Sequence, residues 1–436
     1  MGDLRRRSWL ALVLFALLPP LLDGVWLVGR ADEPSTDFST SSPSPSLRVN
    51  YAYSTNLATN PLGGMVPGRA AYADNHLLTF TLPLKVSSPY LRATTLVVEA
   101  YDRNGVDLSS TAIGNQFTVQ QLYGVETFGL TSVRLEAELP SLGGSAKLGR
   151  FSSGDDFATW PYYGLAMNNA INGNPQSLPV NTGFSSFPNT VWGAQADLAV
   201  GGTTSLRLGT FQITNPDVPR YHGLNWAIRH SDGLLLISQL EHCQGCPDVG
   251  WGGPSQPGPP AAVASVRRAE PSYPVHRQRL AVGGYWSLRP QSSFDGQRVA
   301  PSTYGSWLHL DRTLWRAFPG GPALALWGSV TSSPQPSVVR MPIYWALGLV
   351  RYGLEAKRPQ DSAMLALYQG RFSPASMRSL GSSRPEGAQE TVIELGYRRR
   401  LGAQAFLQPN LQLVIQPSGL PIPTALVLGL QTGISF

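Results

Sequence analysis

Hydrophobic and polar residues alternate with a period of two in many short segments along the chain. Clear examples lie at 47–54, 78–85, 133–139 and 410–416. Because successive side chains of a β-strand point to opposite sides, each segment predicts a strand with one apolar and one polar face. In the second of these segments the two faces are formed by Leu78, Phe80, Leu82 and Leu84 and by Thr79, Thr81 and Lys85.

These strands fit a membrane barrel better than a soluble β-sandwich, although a sandwich alternates too. Their apolar faces end in Trp and Tyr, as a girdle at the lipid headgroups requires, and their charged polar faces suit a wet lumen. After residue 31, no stretch approaches the ~18 uninterrupted apolar residues of a transmembrane helix. Strands in lipid must close into a ring to pair every backbone group. About 390 residues remain after the signal peptide and lead-in, and each strand with its connection takes roughly 24 residues. This length predicts an all-β, transmembrane antiparallel β-barrel of about 16 strands.

The amino terminus has the pattern of a secretory signal peptide over residues 1–31. Arginines at 5–7 precede an apolar run at 9–18, and Gly29 and Ala31 offer small residues before a cut. An uncleaved membrane anchor is the competing interpretation, but Asp23 and a double proline make a poor spanning helix. The Ser/Thr/Pro-rich residues 32–46 predict a flexible lead-in. The barrel domain is then expected at 47–436.

The carboxyl terminus predicts a final strand with an apolar outer face. Its alternate positions are small or polar towards the expected lumen, and the chain ends on Phe436. This ending resembles the signature that the outer-membrane barrel assembly machinery reads, so we expect that machinery to be a partner through Phe436. The apolar face consists of Leu426, Leu428, Leu430, Thr432, Ile434 and Phe436.

Composition and charge narrow the possible partners. Charged residues make up only 14% of the chain, which favours a turn-rich all-β protein, and the formal net charge is +6. The positive charge comes almost entirely from dispersed arginines rather than from a basic run. Nucleic acid is therefore not an expected partner.

Two sequence blocks resemble the carbohydrate-selective porin family (OprB type). They are LGRFSSGDDFATWPYYGLAMNNAINGNP with LPVNTGFSSFPNTVWGAQADL in 148–198, and ETVIELGYRRRLGAQAFLQPNLQLVIQPSG at 390–419. The chain departs from the family at its start, where many members carry a helical or Trp-Gly-Gly segment, and cell-wall anchoring is not expected. The resemblance implies a 16-stranded barrel in the outer membrane of a Gram-negative-type bacterium. It also implies loops that fold inward and narrow the channel.

The segment between the strands ending near Phe151 and beginning near Val191 is the expected constriction loop. A structureless connection of about forty residues is uncommon unless it has a function. Sugars need hydrogen-bond partners for their hydroxyls and flat apolar faces for their C–H surfaces, and charged groups orient hydroxyls strongly. The candidate pore-lining or solute-contacting residues are Arg134, Glu136, Glu138, Arg150, Asp155, Asp156, Trp160, Tyr162, Tyr163, Asn168, Asn169 and Asn174.

A simpler interpretation of the loop stands beside this one. The sequence Asn-Gly-Asn-Pro consists of residues that favour turns whether or not they bind a solute, and tyrosines in loops often only pack against their own loop. Arg134 opposed to Glu136 and Glu138 could polarise a lumen without selecting one ion sign.

Cys243 and Cys246 form a C-x-x-C pair beside His242 in a Gly/Pro-rich segment. An oxidising compartment favours a small disulfide in a surface loop, with free thiols or a metal as alternatives. Two thiols and one histidine would leave a zinc site one ligand short, so no metal is predicted.

The sequence predicts a channel rather than an enzyme. None of the six histidines lies in a nucleophile or metal motif, and only His309, between Trp307 and Asp311, has a suggestive setting. No phosphate-binding loop or cofactor motif is present. We predict passive, carbohydrate-selective diffusion of small hydrophilic solutes. The alternatives are a general or inorganic-ion porin of the same fold and a non-channel barrel serving as an enzyme or surface structural protein. A homotrimer is expected only by analogy with barrels of this size.

Overall fold

The computed structural model of the chain describes residues 46–123, 127–214, 221–245, 276–318, 321–355 and 358–436. The signal peptide predicted at 1–31 lies outside these residues, as does all but the last residue of the predicted lead-in at 32–46.

Strands dominate the described residues, and the helices are short. Helix α1 is Ser177–Asn181 and helix α2 is Pro374–Ser379. A π-helix spans Ser109–Ile113, and 3-10 turns span Pro140–Leu142, Ser153–Asp155, Pro161–Leu165, Tyr221–Gly223 and Pro417–Gly419. The strands are β1 (Arg48–Leu62), β2 (Arg69–Pro83), β3 (Arg92–Gly105), β4 (Thr127–Leu139), β5 (Gly144–Phe151), β6 (Val191–Gly201), β7 (Thr204–Ile213), β8 (Gly233–Gln244), β9 (Gln278–Leu288), β10 (Gln291–Ser292), β11 (Val299–Ala300), β12 (Thr303–Arg316), β13 (Ala323–Ser332), β14 (Ile343–Tyr352), β15 (Ser362–Arg371), β16 (Gln389–Leu401), β17 (Ala405–Ile415) and β18 (Ala425–Ser435).

Within the described residues, β1–β9 and β12–β18 form one closed antiparallel barrel of 16 strands, and β10 with β11 forms a separate small hairpin. Each barrel strand pairs with its neighbours along the chain, and β1 closes the ring by pairing with β18, where Leu57 lies opposite Leu430. Closure leaves no sheet edge, as a bilayer requires. The predicted fold class is therefore confirmed.

The two faces of the wall follow the predicted alternation. In β18, Val427 and Gln431 point inward and are fully buried, whereas Leu428 points outward and is 47% exposed. In β15, Tyr368 points inward and Leu365 outward in the same way. Outward positions such as Leu428 and Leu365 thus present apolar side chains to the bilayer, and the interior receives a mixture of polar, aromatic and aliphatic side chains.

The two ends of the barrel differ in the length of most of their connections, the clearest exception being the segment of 33 residues between β8 and β9 at the end that has the tight turns. Residues 140–143, 202–203 and 402–404 make tight turns at one end, called the short-turn end. Residues 106–126, 152–190, 214–232 and 372–388 connect strands at the other, called the long-loop end. Short turns on one side and long loops on the other are typical of outer-membrane barrels. No helix in the described residues has the length and hydrophobicity needed to cross a bilayer.

A group of polar side chains interrupts the apolar outer surface on β1–β3. The Tyr53 and Tyr72 hydroxyls lie 2.7 Å apart, and Tyr72 donates to an Asp74 carboxylate oxygen at 3.0 Å. The Asn104 amide donates to the other Asp74 oxygen at 3.1 Å, and the Tyr51 hydroxyl contacts His76 Nδ1. We call Tyr51, Tyr53, Tyr72, Asp74, His76 and Asn104 the outer polar cluster.

Candidate permeation pathway

The long connection between β5 and β6, residues 152–190, folds into the barrel and is called the inner loop. It reaches the opposite wall at several points. Arg398 of β16 donates through Nη2 to the Gly164 carbonyl at 2.6 Å, and the Ser177 and Thr331 hydroxyls lie 2.6 Å apart. The predicted inward-folded constriction loop is therefore confirmed.

Aromatic packing on His309 docks the inner loop against β12 and β13. The Trp160 ring stacks on the His309 ring with centroids 3.8 Å apart and planes 5° apart. The Tyr163 hydroxyl contacts His309 Nδ1 at 3.0 Å, and His309 Nε2 lies 3.1 Å from an oxygen of Asp311. The setting of His309 is thus that of a docking residue beneath the loop.

Two glycines make room for large rings on this wall. A Cβ atom at Gly348 would lie 2.5 Å from the Trp327 ring, and one at Gly283 would lie 2.0 Å from the Trp307 ring. Because glycine has no side chain, each indole can lie against the backbone of its neighbouring strand. The Trp327 ring then meets Tyr163 edge-on, with centroids 5.3 Å apart. The two tryptophans therefore form part of the surface on which the inner loop rests.

A buried carboxylate on β16 holds the inner loop by its backbone. Glu394 Oε1 accepts from the Met167 amide at 2.6 Å and from the Asn410 side chain at 2.7 Å. Glu394 Oε2 accepts from the Tyr368 hydroxyl at 2.8 Å. Hydrogen bonds to a charged group are stronger than neutral ones, so Glu394 is the strongest anchor of the loop in this region. The sequence analysis missed this residue.

A second inward segment, residues 106–123, is held by the next inward acid on the same strand. Glu390 accepts from the Gln116 and Phe117 backbone amides, both at 2.7 Å. The backbone amide of Gln121 in this segment donates to the Met167 carbonyl at 2.9 Å, which joins the segment to the inner loop. The inward acids of the ETVIEL block are the signal that could have identified both anchors, because a buried strand acid needs donors.

The predicted amide residues of the inner loop mostly stabilise the loop itself. The Asn168 side chain donates to Gln412 Oε1 at 2.8 Å, and the Asn174 side chain donates to the Gly154 carbonyl at 3.0 Å. The Asn169 side chain donates to Gln176 at 3.2 Å and remains only partly buried. Direct contact of these amides with solute stays a prediction.

Charged side chains on β3–β5 form a buried network with matched signs. Arg134 donates to Glu99 at 2.9 Å and to Glu136 at 2.7 Å. Lys147 lies 2.8 Å from Asp156 of the inner loop, and the side chains of Arg134, Glu99 and Lys147 are at most 3% exposed. Burial opposes ionisation of Asp156, but the Lys147 ammonium outweighs it and lowers the pKa of the Asp156 carboxyl. The structure contains the contact between Arg134 and Glu136 that the sequence suggested. The second partner of Arg134, Glu99, was not identified from the sequence.

A cavity of about 710 Å³ opens at the long-loop end, between the inner loop and the ends of β3, β5, β7 and β9. We call it the outer vestibule. Its lining includes the predicted residues Arg150, Asp155, Asn169 and Asn174. The other predicted contacts lie elsewhere in the barrel, namely Arg134, Glu136, Glu138, Asp156, Trp160, Tyr162, Tyr163 and Asn168.

Three vestibule arginines were not singled out from the sequence. Arg103 lies near the end of β3, Arg229 lies in the connection after β7, and Arg289 follows β9. They are far apart in the chain, and only closure of the barrel brings them to one cavity. No local motif marks them.

Cys243 is buried near the end of β8, at the short-turn end of the barrel. Cys246 lies outside the described residues, so a disulfide between the two cysteines stays a prediction.

The closed 16-stranded barrel with a loop folded into its lumen defines the class of protein as a diffusion porin. The profile described as "Carbohydrate-selective porin, OprB family" matches residues 69–436, and the chain belongs to this family. The family and the fold are those of outer-membrane channels rather than of enzymes. No curated protein sequence matches the chain.

Solved structures show the same fold at low sequence identity. The high-pH structure of Pseudomonas putida OprB has a TM-score of 0.74 and 18% identity, and the match covers 89% of this chain and 94% of that chain. The low-pH structure of the same protein has a TM-score of 0.53 and 15% identity, with 89% and 92% covered. An anion-selective porin from Comamonas acidovorans has a TM-score of 0.50 and 10% identity, with 90% and 100% covered.

Proposed function

We propose that this porin mediates passive, carbohydrate-selective diffusion of small hydrophilic solutes across the outer membrane of a Gram-negative-type bacterium. The observation that carries the proposal is the outer vestibule, which combines amide groups, aromatic rings and charges above a loop that crosses the lumen. The long-loop end faces the cell exterior in this proposal, as in other barrels of this architecture. Solute then enters the vestibule, passes the inner loop and leaves at the short-turn end.

The vestibule is lined by a side-chain amide that has no hydrogen-bond partner in the described part of the chain. Both side-chain amide atoms of Gln121 are buried without a hydrogen-bond partner in the described part of the chain. A buried polar group without a partner costs free energy, and a solute hydroxyl would satisfy it. Phe184 and Phe187 line the same cavity and supply flat apolar surfaces. Binding must remain weak, because a channel has to release each solute.

Single-channel recording in a planar bilayer tests the proposal directly. We expect glucose or maltose to reduce the open current with a saturating dose dependence. Q121L should raise the sugar concentration for half-block about fivefold, because one hydrogen bond contributes about 1 kcal/mol. Q404L, in an exposed turn at the short-turn end, serves as the matched control and should leave the block unchanged.

A current that no sugar alters would contradict carbohydrate selectivity and favour a general or ion-conducting porin. That second candidate is supported by vestibule arginines that lack carboxylate partners among the described residues. A silent bilayer from folded protein would contradict the channel itself.

The proposal includes assembly as a homotrimer, which the outer polar cluster supports. An ionised Asp74 on a lipid-facing surface is costly, whereas burial against a second subunit can supply polar partners. Light scattering of the detergent-solubilised protein should give the mass of three chains. D74L should weaken the assembly, while L365A, a change to an outward residue of β15, should not. A single-chain mass for the unmodified protein would refute the trimer.

Processing and insertion also belong to the proposal. Residues 1–31 act as the signal peptide that directs export, and the final strand is read by the barrel assembly machinery. Phe436 supports the second point because its side chain is 62% exposed and stacks on Tyr51 with centroids 6.5 Å apart. The terminal ring is therefore presented at the short-turn end of the barrel.

A further inference from the structure

Four arginines from separate parts of the chain converge on the outer vestibule. Arg103, Arg150 and Arg289 come from the ends of β3, β5 and β9, and Arg229 comes from the connection after β7. The side chains of Arg103 and Arg150 are buried, with 3% and 5% of each residue exposed. The vestibule wall therefore carries concentrated positive charge.

None of these four arginines forms a salt bridge with a carboxylate in the described residues. Each donates to a neutral oxygen at a distance between 3.1 and 3.4 Å. The acceptors are Asn75 Oδ1 for Arg103, the Thr190 carbonyl for Arg150, Asn225 Oδ1 for Arg229 and the Thr214 carbonyl for Arg289.

Three cations deeper in the barrel, in contrast, do have carboxylate partners. Arg134, Lys147 and Arg207 each contact at least one carboxylate within 3.0 Å. These three cations are thus paired with carboxylates, whereas the four vestibule arginines have no carboxylate partner among the described residues. An uncompensated cluster at a channel mouth attracts anions from solution.

Arg150, which lines this cavity, has one donor without a partner in the described structure. Its Nη1 atom is buried and has no hydrogen-bond partner in the described structure, while its Nη2 atom is fixed on Thr190. The Trp192 ring lies 5.9 Å from the guanidinium carbon and limits its movement. A fixed guanidinium at the wall of a cavity, with an N–H group that lacks a protein acceptor, is suited to bind a carboxylate.

The one vestibule carboxyl in the described lining does little to offset this charge. Burial raises the pKa of Asp155 to about 8, so this carboxyl is largely protonated at neutral pH. The charged groups that act on its pKa are Arg134, Asp156, Glu99 and Lys147. Beside the arginines, Asn169, Asn172 and Gln121 offer amides to hydroxyl groups. The site therefore combines recognition of an anion with recognition of a polyol.

We propose that the outer vestibule selects singly charged sugar acids, such as aldonic or uronic acids, over neutral sugars. The carboxylate binds at Arg150 and Arg103, and the hydroxyls bind at the vestibule amides. This inference rests on the proposed function and specifies its substrate class.

Half-block concentrations in planar bilayers test the inference, with gluconate, glucose, acetate and glucose 6-phosphate as probes. Gluconate should block at a concentration about tenfold below that of glucose, because one charge-assisted hydrogen bond is worth about that factor. R150Q should reduce the ratio of the glucose half-block concentration to the gluconate half-block concentration at least about threefold, because the charge that favours gluconate is removed. R378Q is the matched control, since Arg378 lies in an exposed ion pair with Glu386. R103Q provides a second test if R150Q does not fold.

The outcomes separate the inference from the proposed function. Equal block by gluconate and glucose would overturn the inference and leave the sugar channel standing. Block by acetate as strong as by gluconate would overturn it in favour of a simple anion site, and stronger block by glucose 6-phosphate in favour of sugar phosphates. Absence of block by any sugar would remove the proposed function and the inference together.

Discussion

Replacing Glu394 by alanine is expected to release the inner loop from β16 and to increase both the single-channel conductance and its noise. The change removes the acceptor for the Met167 amide, the Tyr368 hydroxyl and the Asn410 side chain. Hydrogen bonds to a charged group contribute about 1.5–3 kcal/mol each, and of these three only the bond from the Met167 amide joins the loop to the wall, so the docked loop should lose about 1.5–3 kcal/mol. Planar bilayer recording measures the conductance, and proteolysis of the folded barrel reports the exposed loop.

Two variants control this experiment. E394Q keeps an oxygen that can accept from the Met167 amide but removes the charge, so it should fall between the unmodified protein and E394A. L395A changes the neighbouring outward residue on the same strand, which is 49% exposed, and should not alter the current. A quiet channel of unchanged conductance in E394A would show that Glu394 does not hold the loop.

Replacing Arg134 by methionine should destabilise the folded barrel by about 3–5 kcal/mol, because two buried carboxylates lose their partner. Glu99 and Glu136 both contact the Arg134 guanidinium, and all three side chains are at most 4% exposed. The temperature at which the barrel unfolds in detergent should therefore fall clearly. Circular dichroism or the shift between folded and unfolded bands in gel electrophoresis measures it.

The exposed pair of Arg378 and Glu386 is the matched comparison for that variant. Its atoms are 3.0 Å apart, but its side chains are 58% and 75% exposed, so R378M should change stability by at most about 1 kcal/mol. A triple variant with E99Q and E136Q should recover part of the loss in R134M, since the unpaired charges are then removed. Equal unfolding temperatures for R134M and R378M would contradict a stabilising role for the buried network.

Strand identity and the direction of each side chain could be predicted from the sequence. The alternation at 133–139 placed Arg134 and Glu136 on one face, and the last strand placed Leu428 and Phe436 on the other. Both assignments depend only on the two-residue repeat of an extended chain, which is a local property. The number of strands followed because a barrel in lipid must close.

The anchors of the inner loop could not be predicted, because they join distant parts of the chain. Met167 and Glu394 are separated by 227 positions, and Tyr163 and His309 by 146. Trp160 and Tyr163 have the composition of a sugar platform, yet both are buried in the docking face of the loop. Composition indicates what a side chain can bind, but only packing decides what it meets.

The sequence by itself determined the barrel, the orientation of its faces and the existence of a long loop, since these depend on local periodicity and on backbone pairing in lipid. The tertiary structure decided which groups remain open in the outer vestibule. Arg103, Arg150 and Arg289 lie at or near the ends of three different strands, and closure of the ring brings them to one cavity without carboxylate partners among the described residues. The physical reason is that pairing of charges depends on distance in space, which the order of residues along the chain does not specify.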